Sequence, residues 1–153
     1  MASTPPKAYL SGRLVVSRTK DNPWGMLLVS QPLADGLFAS LHEPGIEPSP
    51  NRAHITVFTD AELDKIGTDN VTERGQVFQF SLGTVRHVNP RGWKDYERCW
   101  FATCHSPDLE RLRVSYGLQP RPNGQPFHIT FAVRRTGALS KKSSIVSAVA
   151  PAA

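Results

Sequence analysis

Arg52-Ala53-His54-Ile55-Thr56-Val57-Phe58 and Pro126-Phe127-His128-Ile129-Thr130-Phe131-Ala132-Val133 are the two stretches on which the architecture turns. Both are rich in β-branched and aromatic residues and read as strands. Side chains alternate along a strand, so His54 and Thr56 share one face while Ile55 and Val57 share the other. His128 and Thr130 are set in the same way against Phe127, Ile129 and Phe131. Each strand therefore offers an imidazole and a hydroxyl on one side and an apolar stripe on the other. The chain has 5 histidines, and a second His-Ile-Thr among the other four by chance has a probability of roughly one per cent.

Outward from these strands the chain repeats itself. Val29-Ser30-Gln31-Pro32-Leu33, then Pro48-Ser49-Pro50-Asn51, then His54-Ile55-Thr56 is echoed by His105-Ser106-Pro107-Asp108-Leu109, then Pro120-Arg121-Pro122-Asn123, then His128-Ile129-Thr130. The common order is a helix start, a proline loop and a strand opening on histidine, which reads as a duplication. Strands are expected at 9–16, 25–29, 52–58, 77–82, 98–104 and 126–133, with turn residues at Lys20-Asp21-Asn22-Pro23. Leu33, Leu37, Phe38 and Leu41 recur at helical spacing, and Pro44, Pro48 and Pro50 forbid continuation. Thr59-Asp60-Ala61-Glu62 has the spacing of a capping box for a second helix ending near Gly67, and a third runs from Pro107 to Tyr116, stopped by Gly117. The expected organisation is one α+β domain over 1–136, with halves at about 8–70 and 75–136, and a disordered Ser- and Ala-rich tail over 137–153.

With 153 residues, 39% of them hydrophobic and 20% charged, the composition is that of one soluble globular domain, and no apolar run suits a membrane span. The N-terminus carries no secretory signal pattern, so a cytoplasmic location is expected, the host cytoplasm if the chain is phage-encoded. Cys99 and Cys104 are five positions apart on an expected strand, which puts them on opposite faces as free thiols. The net charge of +5 comes from scattered basic residues, which suits a small phosphate ligand better than duplex DNA.

If the two halves pack about a pseudo-twofold axis, two imidazoles and two hydroxyls converge on one cleft. One neutral imidazole then takes a proton from water or a ribose hydroxyl, the other protonates the departing oxygen, and the hydroxyls hold the nonbridging oxygens of a phosphodiester. Neither histidine lies in a His-x-His or His-Glu-x-x-His spacing, and no carboxylate cluster accompanies them, so no metal or cofactor is expected. The same spacing excludes a histidine-triad hydrolase.

Two His-x-Thr strands in a duplicated α+β chain resemble the two-histidine (2H) phosphoesterase superfamily over roughly residues 8 to 135. Members similar to this chain include RNA cyclic phosphodiesterases of the LigT type and small phage anti-CBASS nucleases that degrade cyclic oligonucleotide signals. The resemblance implies a bilobal fold of two antiparallel sheets with flanking helices, and His54, Thr56, His128 and Thr130 as the catalytic set. It implies a phosphodiesterase acting on nucleotides, cyclic oligonucleotides first and RNA ends bearing a 2′,3′-cyclic phosphate or a 2′-5′ linkage second. A cleft that only sequesters a nucleotide is the alternative from another class. Trp93, Tyr96, Tyr116 and Tyr9 are the aromatic candidates for holding a base. The loops at 89–95 and 120–126 are the candidate lids, and the chain is expected to act as a monomer.

Overall fold

The protein is described by a computed structural model at residues 9–19 and 22–139. Its elements are β1 (Leu10–Thr19), β2 (Asn22–Leu28), α1 (Gln31–Ser40), β3 (Ile46–Pro48), β4 (His54–Phe58), α2 (Asp60–Ile66), β5 (Val77–Val88), β6 (Tyr96–His105), α3 (Pro107–Ser115) and β7 (Phe127–Arg135). The halves are legible in this order: β1-β2-α1-β4 is followed by β5-β6-α3-β7, each a hairpin, a helix and a strand that begins at or beside its histidine. The fold is α+β.

All strand pairings are antiparallel, in the order β3-β7-β4-β2-β1-β5-β6 with an additional β7–β6 pairing. Each half contributes three strands with the second strand of its hairpin in the middle. The halves then meet edge to edge twice, β1 against β5 and β4 against β7. Both junctions pair equivalent strands, as a pseudo-twofold axis running through them requires. The two sheets expected for two lobes are thus joined by hydrogen bonds into one seven-stranded sheet that closes on itself, with β3 alone outside the ring.

Leu14, Leu27, Ile55, Phe80 and Ile129 are fully buried and belong, with residues of all three helices, to one core cluster. Burying an Ile or Leu side chain contributes about 1.5–3 kcal/mol, so the apolar stripe of each histidine strand is what fixes its polar stripe outward. Helix α1 packs against β7, and α3 against β4 and β5, so each repeat's helix supports the histidine strand of the other half. Helix α2 starts as its sequence implies. The Thr59 hydroxyl accepts from the Glu62 amide at 3.3 Å and the Glu62 carboxylate accepts from the Thr59 amide at 2.9 Å.

The same carboxylate has a second partner that the pattern did not reveal. Arg113 of α3 is 0% exposed and donates to both Glu62 oxygens at 2.7 Å, to the Val57 carbonyl at 2.6 Å and to the Gln119 carbonyl at 2.9 Å. One guanidinium therefore ties α2, β4 and the proline loop before β7 together. Burial alone raises the Glu62 carboxyl, but the hydrogen bonds from Arg113 and the Thr59 amide, with the guanidinium charge, outweigh it and hold the group below its ordinary range.

Three elements differ from expectation. Ile46–Pro48, inside the first proline loop, forms β3 and pairs with β7 from Ile46↔Arg134 to Pro48↔Ala132; proline is tolerated there because β3 is an edge strand. Strand β5 runs on past Leu82 to Val88. The expected tail opens on Gly137, whose amide donates to Glu97 at 3.0 Å. Its remainder, residues 140–153, lies outside the described residues, as do Lys20 and Asp21 of the first turn. Among the described residues, no helix is long and apolar enough to cross a membrane.

Candidate active site

Strands β4 and β7 meet at a single described pair, Ile55↔Ile129, the central residues of the two His-Ile-Thr segments. Antiparallel register carried one step to each side sets His54 across from Thr130 and Thr56 across from His128. Both isoleucines face the core, so the four polar side chains rise from the opposite face of the junction. Diagonal residues of such a pair lie about 7–8 Å apart, room for a phosphate between two imidazoles.

The two rings are held alike. Nδ1 of His54 lies 2.7 Å from the Arg52 carbonyl oxygen, and Nδ1 of His128 lies 3.5 Å from that of Pro126, each two residues upstream. A carbonyl only accepts, so Nδ1–H is the donor and Nε2 of the neutral ring carries the free lone pair. The His128 ring also packs on Phe101, centroids 5.1 Å apart. Desolvation lowers its pKa, the hydrogen bond to Pro126 opposes that, and the nearby His54 adds a smaller lowering. Thr56 is exposed beside β2 at Met26, and the Ala53 amide next to His54 donates to the Gln31 side chain of α1 at 3.1 Å.

Two cavities meet at His128. One, of about 350 Å³, is lined by Arg86, Val88, Pro90, Trp93, Phe101 and Thr103 together with Cys99, Gln125, Pro126, His128 and Thr130. The other, of about 230 Å³, lies between Thr56, Thr59 and the loop Pro122–Pro126. Asn123 and Gly124 both adopt positive φ, at 54° and 70°, which turns this loop so that Gln125 and Pro126 border both cavities.

Among the sequence-derived candidates, His128, Thr130 and Trp93 line the first cavity and Thr56 the second. His54 lines neither and stands across the β4–β7 junction from them. Tyr96 is set behind Trp93, rings 6.3 Å apart, with Arg135 over its own ring. Tyr9 is 57% exposed and lines none of the described cavities. Tyr116 does not reach the histidines: its ring packs edge-on against Phe58 and its hydroxyl donates to Glu73 at 2.5 Å, which lowers the Glu73 pKa. The proline loop leaves from that helix end, but the tyrosine itself points back to the segment after α2. Cys99 borders the cavity and Cys104 the core, both buried free thiols on opposite faces; burial raises Cys99 and pushes Cys104 up to about 12. Among the described residues, no three of His, Cys, Asp and Glu converge as metal ligands.

Arg86 is the residue sequence reasoning missed. The β5–β6 register shifts between Leu82 and Val85, so that Arg86 opposes Phe101 and Val88 opposes Cys99. One extra residue flips every later side chain to the other face. Without this bulge Val85 and His87 would face the cavity; with it Arg86 and Val88 do, and His87 lies against Trp100 on the other side. The signal was Gly83, where a Cβ would fall 2.3 Å from the Thr103 hydroxyl that accepts from the Thr84 amide.

A duplicated α+β domain with one His-x-Thr strand from each half at its symmetric junction has the layout of a two-histidine phosphoesterase. A family model described as "Swiss Army Knife, 2H phosphoesterase domain" matches residues 27–138, and the chain belongs to that family. No curated protein and no solved structure gives a significant match.

Proposed function

We propose that the protein is a phosphodiesterase that hydrolyses a nucleotide phosphodiester by proton transfer between His128 and His54, without a metal, and that cyclic oligonucleotides are its substrates. The observation that carries this reading is the Ile55↔Ile129 pairing, which sets both His-Ile-Thr segments face to face on one side of the sheet. The lowered pKa of His128 keeps its Nε2 free to accept a proton. In this assignment His128 takes a proton from water as the water oxygen bonds to phosphorus. The bond from phosphorus to the leaving ribose oxygen breaks, and His54 gives that oxygen a proton. The products are a phosphomonoester and a free hydroxyl, and the histidines exchange their proton through solvent before the next turnover. Thr56 and Thr130 donate to the nonbridging oxygens, whose charge grows in the transition state.

The test is chromatography with mass detection on cyclic dinucleotides, cyclic trinucleotides, a 2′,3′-cyclic mononucleotide and a 2′-5′ dinucleotide, in excess chelator. Wild type is expected to cleave at least one member, and His54→Ala and His128→Ala to lose at least a hundredfold in kcat while retaining affinity. Cleavage of the cyclic mononucleotide alone would favour RNA-end processing. Binding without product in wild type would establish a sequestering protein instead.

A further inference from the structure

The two cavities at His128 belong to a longer trough. Thr56 and Thr59, which wall the cavity of about 230 Å³, also wall a more open one of about 530 Å³ lined by Trp24, Gly25, Met26, Phe58, Asp60 and Ala61. The trough thus runs from Trp24, past Thr56 and Thr59, under the 122–126 loop to His128, and on to Trp93 and Arg86. His128 stands in its middle, not at an end, with His54 diagonally across the β4–β7 junction. Trp24 lies at one end and Trp93 at the other, while the third tryptophan of the chain, Trp100, is 3% exposed.

The ends differ in charge. Asp60 lines the Trp24 arm. Arg86 lines the Trp93 arm, where its Nε donates to the Thr84 hydroxyl at 3.2 Å and, among the described residues, no carboxylate pairs with it. Arg86 opposes Phe101, and Phe101 opposes Thr130, so the arginine stands two strands from the catalytic junction, about 10 Å at the usual strand spacing. A flexible guanidinium at that remove is placed for a second anionic group one nucleoside beyond the scissile phosphate, and its remaining donors suit bidentate contact with phosphate.

We infer that the substrate is a phosphodiester with a nucleoside on each side, one base on Trp24 and the other on Trp93, and with a second phosphate held by Arg86. Linear 5′-phosphorylated dinucleotides and cyclic dinucleotides share this chemistry; a 2′,3′-cyclic mononucleotide fills one arm only. The inference rests on the phosphodiesterase reading and sharpens its substrate class.

The probes are 2′-5′ and 3′-5′ ApA, the same dinucleotides with a 5′-phosphate, cyclic di-AMP, and 2′,3′-cyclic AMP. In kcat/KM, wild type is expected to prefer a dinucleotide over 2′,3′-cyclic AMP by at least about tenfold, as one added base stack gives. Trp24→Ala reduces that preference about tenfold, and Trp24→Phe restores most of it. Arg86→Gln reduces the preference for the 5′-phosphorylated over the unphosphorylated dinucleotide about tenfold. Ratios unchanged by these substitutions overturn the inference, and a rise for cyclic di-AMP over both linear forms identifies the cyclic source of the second phosphate. If wild type cleaves none of these probes, the hydrolytic reading stands or falls on the wider panel above. The trough is then judged by quenching of tryptophan fluorescence on titration with the 5′-phosphorylated dinucleotide and cyclic di-AMP. Saturable quenching weakened by Arg86→Gln sustains it, and no saturable quenching overturns it.

Discussion

Replacing Arg113 with methionine removes a fully buried cation from four hydrogen bonds: two to the Glu62 carboxylate, one to the Val57 carbonyl and one to the Gln119 carbonyl. Methionine matches the stem of the side chain and supplies no donor. The Glu62 side chain, 21% exposed, loses its counter-charge but retains the Thr59 amide and some water, while the Val57 carbonyl beneath Thr56 is stranded. Breaking a buried pair by removing one partner costs about 3–5 kcal/mol, and a stranded carbonyl belongs within that figure. At this chain length each kcal/mol moves Tm by about 2–4 °C, so the expected loss is about 6–20 °C. The assay is thermal denaturation by circular dichroism for wild type, Arg113→Met, Glu62→Gln and the double variant. The cycle should show that the second substitution adds much less than its single effect. The pH dependence supplies a further check. Because the Glu62 carboxyl is held below its ordinary 4.5, its contribution is complete above that value and is lost as pH falls through the depressed one. Wild-type stability should therefore decline below pH 4.5 more steeply than that of Arg113→Met. A Tm loss under about 3 °C, or additive single effects, would refute the clamp.

Two further outcomes follow from the site and its wall. The His128 ring proton, followed by NMR, should titrate with a midpoint below the ordinary 6.5, because the cleft walls and His54 both disfavour the imidazolium; in His54→Ala the midpoint should rise, and a wild-type value at or above 6.5 would contradict the desolvated cleft. Gly83→Ala places a methyl 2.3 Å from the Thr103 hydroxyl and should cost about 1–3 kcal/mol in urea denaturation, unless the bulge is absent and the strand accepts alanine freely.

The parts of this architecture that were legible in the sequence are those written as local patterns. His54-Ile55-Thr56 and His128-Ile129-Thr130 carry the strand period and the duplication together, and the capping box at Thr59 is complete within four residues. What was hidden depends on partners far along the chain. Ile46–Pro48 has only three residues, too short to show a period, and becomes a strand because β7 offers it an edge. Arg113 looks like any exposed helical arginine until Glu62 and Val57 are brought beneath it. Tyr116 stood next to a loop of interest, and its actual partner, Glu73, comes from the segment between the halves. Arg86 lay beyond the strand expected at 77–82, and alternation carried on from Val77 would still have assigned it to the wrong face once Gly83 and Thr84 intervene.

That change of phase makes the wall of the cleft tolerant of one inherited deletion. Loss of the single codon for Gly83 would take out the extra residue and leave Arg86 opposite Phe101 and Val88 opposite Cys99, so that the permanent cation stays turned toward the cavity. A lineage could in this way lose the bulge in one genetic event and keep both Arg86 and the register of the histidine strands on the far side of β6.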